Sequence, residues 1–282
     1  MCILFIKTLE NANCGEYKLV LVNIRDEYYA RPTKPVSFWD NRNTRIIGGQ
    51  DMDKGREGGT WLAMNTNGKI ASLLNILQPK DEISADKKGR GFLVVDYLEG
   101  NESPKTYLDQ ISKESSDYNG FRMIAIHLKS QSIEMSTYSN FGLQTMQLNS
   151  GVHAFGNNKM EQKLWPKVRI GKQKFEEIVD KHKNTNSKSQ LIDDIFDFLS
   201  DKSIYPLDDQ MRSQGRDKSK SLEKLNAIHV VIPENNYGSR TWTIILVDNN
   251  LNVDYIEKTM KEPIDASKDI EWITNSHTFK IT

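Results

Sequence analysis

The sequence predicts a layered α+β fold. Three observations carry that prediction: branched apolar runs separated by turn chemistry that read as hairpins, helical periodicity confined to paired segments, and no regular strand-helix alternation of the doubly wound kind. "CILFIKTL" and "YKLVLVNI" flank the turn-rich "ENANCGE", so the chain is expected to open as a hairpin with Cys2 starting its first strand. A second hairpin is expected in "GGTWLAMNTNGKIASLLNI", where Asn67-Gly68 is a two-residue turn signal. Helices follow at "RGFLVVDYLEG" and "SPKTYLDQISKES", the latter capped by Ser103 with Pro104 in its first turn. "FRMIAIHL", "SIEMSTYS" and "GVHAFGN" return to strand character, two more helices are expected at "KQKFEEIVDKHK" and "SKSQLIDDIFDFLSD", and the end reads as strands again. The polar segment at about 203–225 has little apolar periodicity and is expected to be a long mobile loop within a single domain spanning 1–282.

Composition narrows the function classes. Lys+Arg and Asp+Glu both number 38, for a formal net charge of +0, so no bulk electrostatic grip on nucleic acid or anionic membrane is expected. The apolar patch at the N-terminus is broken by Lys7 and Glu10, unlike a secretory signal, and no apolar run is long enough to span a bilayer. The expectation is a soluble, intracellular protein. Cys2 and Cys14 do not make a disulfide framework, and a reducing compartment fits them better. His127, His153, His182, His229 and His277 lack metal-ligand spacing, so no metal is expected.

Several residues carry candidate chemistry. Cys2 follows the initiator position, and its small size permits Met removal; the exposed α-amine would then serve as base for its own thiol. The alternative is a small hydrophobe opening a buried strand. Arg25, Asp26 and Glu27 end the second strand beside Cys2, and strand alternation sends Asp26 to the opposite face from its neighbours unless the strand bends. Asp26 and Glu27 would otherwise cap a turn and pair with Arg31 or Arg42. "GREGGTW" suits a tight loop or close approach to a ligand, and "YGSRTWTIILVD" sets Gly238 and Arg240 at a strand entrance.

Taken together, "MCILF", "IRDEYYARPTKPVSFW", "GREGGTWLAMNTNGKIASLLN", "KGRGFLVVDYL", "YNGFRMIAIHL", "WPKVRIGKQKF" and "YGSRTWTIILVD" resemble the transport and Golgi organization protein 2 family, also called the NRDE family, over nearly the whole chain. The family tetrad Asn-Arg-Asp-Glu is Ile24-Arg25-Asp26-Glu27 here, with an asparagine one position early at Asn23. An apolar Ile24 cannot hydrogen-bond, which puts catalysis in question. The resemblance implies an αββα sandwich of two sheets covered by helices, similar to N-terminal-nucleophile hydrolases. By analogy with cysteine amidases of that superfamily, Cys2 would be nucleophile, Arg25 and Asp26 pocket organisers, Asn75 and Asn157 oxyanion donors, and Arg240 electrostatic support; Asn158 competes with Asn157 for its place.

The resemblance also implies Golgi and secretory organisation, mitochondrial and lipid metabolism, and haem mobilisation, with the protein in the cytoplasm near those organelles. The first functional expectation is therefore haem trafficking, with no required cofactor and haem, or another small amphipathic molecule, as cargo. Arg25, Arg31 or Arg240 would hold the propionates, Tyr28, Trp39 and Trp61 would wall a slot, Glu27 would border it, and His153 or the Cys2 thiolate would ligate iron. The alternatives are a cysteine amidase or thioesterase acting through Cys2, and a scaffold in secretory organisation that uses the segment from Met211 to Lys224. Oligomeric state is left open.

Overall fold

The structure, a computed structural model, describes residues 1–40, 45–142, 144–160, 163–215 and 220–282. Strands β1 (Ile3–Thr8) and β2 (Tyr17–Tyr28) form the expected opening hairpin, with Cys2 just ahead of β1 rather than inside it. Next come β3 (Thr33–Phe38) and β4 (Ile46–Asp51), neither of which the apolar pattern announces. β3 is an edge strand carrying Pro35, with Val36 alone buried, and β4 contains Gly48 and Gly49. β5 (Leu62–Asn65) and β6 (Lys69–Asn75) make the second hairpin. Gly68 turns at φ +87°, where an added Cβ would lie 2.3 Å from the Leu128 carbonyl oxygen, so only glycine fits.

Helices α1 (Gly91–Glu99) and α2 (Pro104–Lys113) follow, and Ser103 caps α2 by accepting a hydrogen bond from the Thr106 amide. The chain then forms β7 (Phe121–Leu128), β8 (Ile133–Ser139), β9 (Met146–Gln147) and β10 (Gly151–Phe155), then α3 (Pro166–Lys181) and α4 (Lys188–Leu199). Where a long loop was expected, two short helices occur, α5 (Asp209–Gln214) and α6 (Lys220–Lys224). Asp208 caps α5 through the Met211 amide at 2.8 Å, and Met211 and Leu222 are buried in the helix-side core. The few apolar residues of that segment are spaced for one turn each, too short to stand out as a period. β11 (Val231–Ile232), β12 (Tyr237–Asp248), β13 (Asn252–Met260) and β14 (Trp272–Lys280) complete the chain.

Among the described residues these strands form two antiparallel sheets of seven. The first runs β10-β1-β2-β12-β13-β14 with β11 beside β12, the second β3-β4-β5-β6-β7-β8-β9. Alternation sorts the hairpin by face. Leu4, Ile6, Leu19 and Leu21 meet Leu62, Met64, Ile70 and Ile124 between the sheets. Ile3, Phe5, Val20, Val22 and Ile24 meet Val168, Phe175, Leu191 and Ile195 of α3 and α4. The outer face of the second sheet packs Ala63, Ala71, Phe121 and Met123 against Leu93, Val94, Leu98 and Leu108 of α1 and α2. Each of the Val, Leu, Ile, Phe and Met side chains among these contributes about 1.5–3 kcal/mol by leaving water. The layers are therefore helix, sheet, sheet, helix, the αββα order expected.

One irregularity shapes the site. The β12–β2 register slips between Ser239 and Thr241, opposite Asp26 and Arg25, leaving Arg240 as the extra residue of a bulge. Bulges re-aim side chains and sharpen twist. This one sits at the sheet end where Cys2 and the charged end of β2 lie.

Candidate functional site

A cavity of about 840 Å³ occupies that end of the sandwich. Met1, Cys2, Arg25, Asp26 and Glu27 line it from the first sheet, Trp61, Leu73 and Asn75 from the second, and Asn157 from the segment after β10. Its apolar wall continues through Leu77, Phe92, Leu222 and Leu225, while Arg56, Lys80, Lys87, Lys88 and Arg90 bring cationic groups. Thus Cys2, all three charged residues of the tetrad, Asn75 and Asn157 do converge on one space, as do Tyr28, Arg31 and Trp61.

Alternation still divides the tetrad. Arg25 turns between the sheets and lies over the Trp61 ring, 4.1 Å from its centroid. It is 4% exposed, and it makes a long 3.5 Å hydrogen bond to the Thr33 hydroxyl. Burial pulls its guanidinium below the usual range. Asp26 turns to the helix side, where Oδ1 accepts from the Ser239 hydroxyl at 2.5 Å. Its Oδ2 is buried with no hydrogen-bond partner and faces two cations: the Met1 α-amine at 3.7 Å and the Lys167 ammonium of α3 at 3.9 Å. Tyr237 and the Asp26 carbonyl also take hydrogen bonds from that amine. Lys167 is fully buried, donates to the Ala227 carbonyl at 3.3 Å, and is pushed below the normal lysine range by burial.

Behind Trp61 lies a second, smaller space of about 210 Å³. Trp61 walls both spaces, and Glu257 of β13 lines the smaller one. Glu257 is 1% exposed, and its Oε1 accepts from the Val36 amide at 2.8 Å. Burial pushes its carboxyl up to about 7, against the lowering effects of that amide and of Arg25. Gly49 makes room for the arrangement: a Cβ there would lie 2.7 Å from the Trp61 ring and 3.3 Å from Glu257 Oε2.

Other expected site residues stand elsewhere. Arg240 is outside the cavity wall; the bulge aims it at the carbonyls of Tyr28, Tyr29 and Arg31 and at Glu262, so it clamps the chain after β2. Trp39 donates to the Gly48 carbonyl and packs in the outer core under α1, not in a ligand slot. His153 bonds the Asn149 carbonyl and stacks on Phe155 of β10, away from the cavity, so it cannot ligate cargo there. Arg31 lines the cavity but is held bidentately by Asp51, at 3.1 and 2.6 Å. Arg42 lies outside the described residues.

Asn157, not Asn158, reaches the cavity. Asn157 donates to the Asn75 carbonyl at 2.6 Å, whereas Asn158 is turned to Arg122 and the Met160 carbonyl. Ile24 is buried against the helix layer beside Trp242, so the break in the tetrad is a core position, not part of the cavity wall. Asn23 faces the other way and donates to the Ile3 carbonyl.

Sequence reasoning missed Lys167 and Glu257, though each left a signal. Lys167 begins the buried stripe that continues at Gly171, Phe175 and Val179 of α3, and Glu257 continues the inward row Val253, Tyr255 of β13. A charge inside an apolar period marks a buried partner.

Residues 1–262 match the family described as Transport and Golgi organisation 2. The chain belongs to this family. Relatives share its length: the mouse Transport and Golgi organization 2 homolog is 36% identical over 285 residues, covering 100% of this chain and 99% of that one. The human homolog is 36% identical over 286 residues with the same coverage, and the Drosophila melanogaster protein 34% identical over 271 residues, 92% of each. Among solved structures, the chain is similar to a mutant conjugated bile acid hydrolase from Clostridium perfringens, with TM-score 0.45 and 7% identity over 100% of this chain and 97% of that one.

What this cavity could do as a nucleophilic site depends on Cys2. Cys2 is half-buried, and desolvation raises its thiol above its ordinary range despite the nearby amine and Arg25. Thiolate, the nucleophilic and metal-binding form, is therefore disfavoured even with the Met1 amine beside it. Among the described residues no cluster of three or more His, Cys, Asp or Glu side chains is arranged to hold a metal, and no helix is long and apolar enough to cross a membrane.

Proposed function

We propose that the protein binds an amphipathic, anionic small molecule in this cavity and hands it on unchanged, with haem as the cargo class. The observation that carries this reading is Arg25: a buried guanidinium, stacked on Trp61, that forms no ion pair among the described residues and faces about 840 Å³ of half-apolar space. Buried cations are costly without a partner, and a ligand carboxylate would supply one. The apolar wall would take a macrocycle, and the lysines around Lys87 would meet a second acid group. The names of the relatives tie the family to transport and Golgi organisation; carrying such a ligand between the cytoplasm and Golgi, mitochondria or other haem-containing organelles is this chain's part in that work.

Titration with haem, read in the Soret band, tests it. Saturable binding is expected, weakened at least about tenfold in Arg25→Gln, the loss of one charge-assisted contact. Non-saturating binding, or equal affinity in the variant, would sink the reading.

Hydrolysis by Cys2 is a second reading, favoured by the convergence of Cys2, Asn75 and Asn157 on the same cavity. It requires Met1 to be removed so that the α-amine of Cys2 takes the proton. Turnover of an acyl-amide or acyl-thioester panel, lost in Cys2→Ala, is its expected signature; intact mass showing Met1 retained on an inactive protein rules it out.

A further inference from the structure

The structure also holds a buried carboxyl, Glu257, whose use the cargo-binding reading leaves open. Glu257 sits in the same inter-sheet layer as Arg25, and Trp61 is the wall between the space Glu257 lines and the cavity Arg25 faces. Neither residue forms an ion pair among the described residues. We propose that Glu257 is the internal counter-charge of Arg25, set across Trp61, so that its protonation state determines how tightly the cavity holds an anionic ligand. The proposal rests on the cavity being a binding site for anions.

The surroundings leave Glu257 few competitors. From β2 it meets Arg25, from β3 the Val36 amide and, around the smaller space, Lys34; beyond β13 Lys261 and Glu262 border that space, and Tyr255 is the titratable neighbour on its own strand. β4 and β5 present the uncharged Gly49 and, just before β5, Trp61. Lys261 is paired with Glu271, and Glu262 with Arg240, which leaves Arg25 as the inter-sheet cation acting on Glu257. Arg240 in turn repels Arg25, which adds to the demand for a negative partner.

The direction follows from charge. A protonated Glu257 is neutral and keeps its bond from the Val36 amide, so the guanidinium field is directed to the cavity and an anion binds tightly. An ionised Glu257 offsets that field and competes with the ligand. Its carboxyl, held near 7 by burial, changes state within the range of cellular compartments. Two charges several ångströms apart in such a setting shift affinity by roughly tenfold.

The test uses a probe whose own charge does not titrate. The sulfonate 8-anilinonaphthalene-1-sulfonate and the uncharged N-phenyl-1-naphthylamine are titrated into the full chain at pH 6 and pH 8.5. For wild type, sulfonate affinity is expected to fall roughly tenfold at the higher pH. The uncharged probe should not change, and in Glu257→Gln the sulfonate should bind with one affinity at both pH values. Saturable sulfonate binding by wild type with no pH dependence, or an unaltered pH dependence in Glu257→Gln, overturns the proposal alone. Absence of saturable binding by either probe at any pH overturns the cavity as a binding site and the proposal with it. Should Glu257→Gln not fold, Glu257→Met serves in its place.

Discussion

Asp26→Ala is expected to lose about 3–5 kcal/mol of stability, the cost of stranding a buried charge. Oδ2 of Asp26 lies 3.9 Å from a lysine that is 0% exposed, and no other carboxylate pairs with Lys167 among the described residues. Removing Asp26 also releases the Ser239 hydroxyl and the Met1 amine from their charged acceptor. A urea midpoint series on Asp26→Ala, Lys167→Met and the double variant isolates the pair. The double variant should return to within about 1–2 kcal/mol of wild type, because neutral packing replaces both ions. The sign with pH is also determined. With Asp26 gone, Lys167 folds only as the neutral amine, whereas the unfolded lysine holds its proton up to about 10.5. The loss should therefore shrink by about 1.4 kcal/mol for each pH unit gained toward that value. A loss below about 1 kcal/mol at pH 7 would show that the pair does not carry the burial of Lys167.

Glu257→Gln should do the opposite and stabilise the fold at alkaline pH. The unfolded carboxyl titrates at its ordinary 4.5 and the folded one at about 7, so the native state holds its proton longer. Stability is consequently lost as pH rises from 4.5 toward 7, and the deficit is complete above that. The gap corresponds to about 3 kcal/mol. Gln keeps an oxygen to accept from the Val36 amide and carries no charge to desolvate, so it should recover about 2–3 kcal/mol at pH 8.5 and almost nothing at pH 4. Thermal midpoints of both proteins across that range read the difference. Equal midpoints at pH 8.5 would mean that Arg25 already compensates the ionised carboxylate.

Much of the architecture was legible because it is local. Ser103 and Pro104 announce α2, Asn67-Gly68 announces the β5–β6 turn, and the alternation of Leu19, Leu21 against Val20, Val22 assigns both faces of β2 before any partner is known. β3 and β4 were not legible, since an edge strand with one buried residue and a strand of paired glycines lack the apolar period that defines a strand in isolation. The two short helices around Met211 and Leu222 escaped for the same reason: their stability comes from the core they touch, not from their own turns.

The sequence by itself determined the layered α+β class, the family, and the placing of Cys2, Arg25 and Asp26 at the end of one hairpin, because pattern, turn chemistry and motif order are properties of adjacent residues. Only the tertiary structure decided what those residues face. A one-residue bulge in β12 turned Arg240 into a clamp, the second sheet brought Trp61 and Glu257 to Arg25, and α3 brought Lys167 to Asp26. Burial and charge pairing depend on which distant segments exclude water around a group, and no local stretch of sequence contains that information.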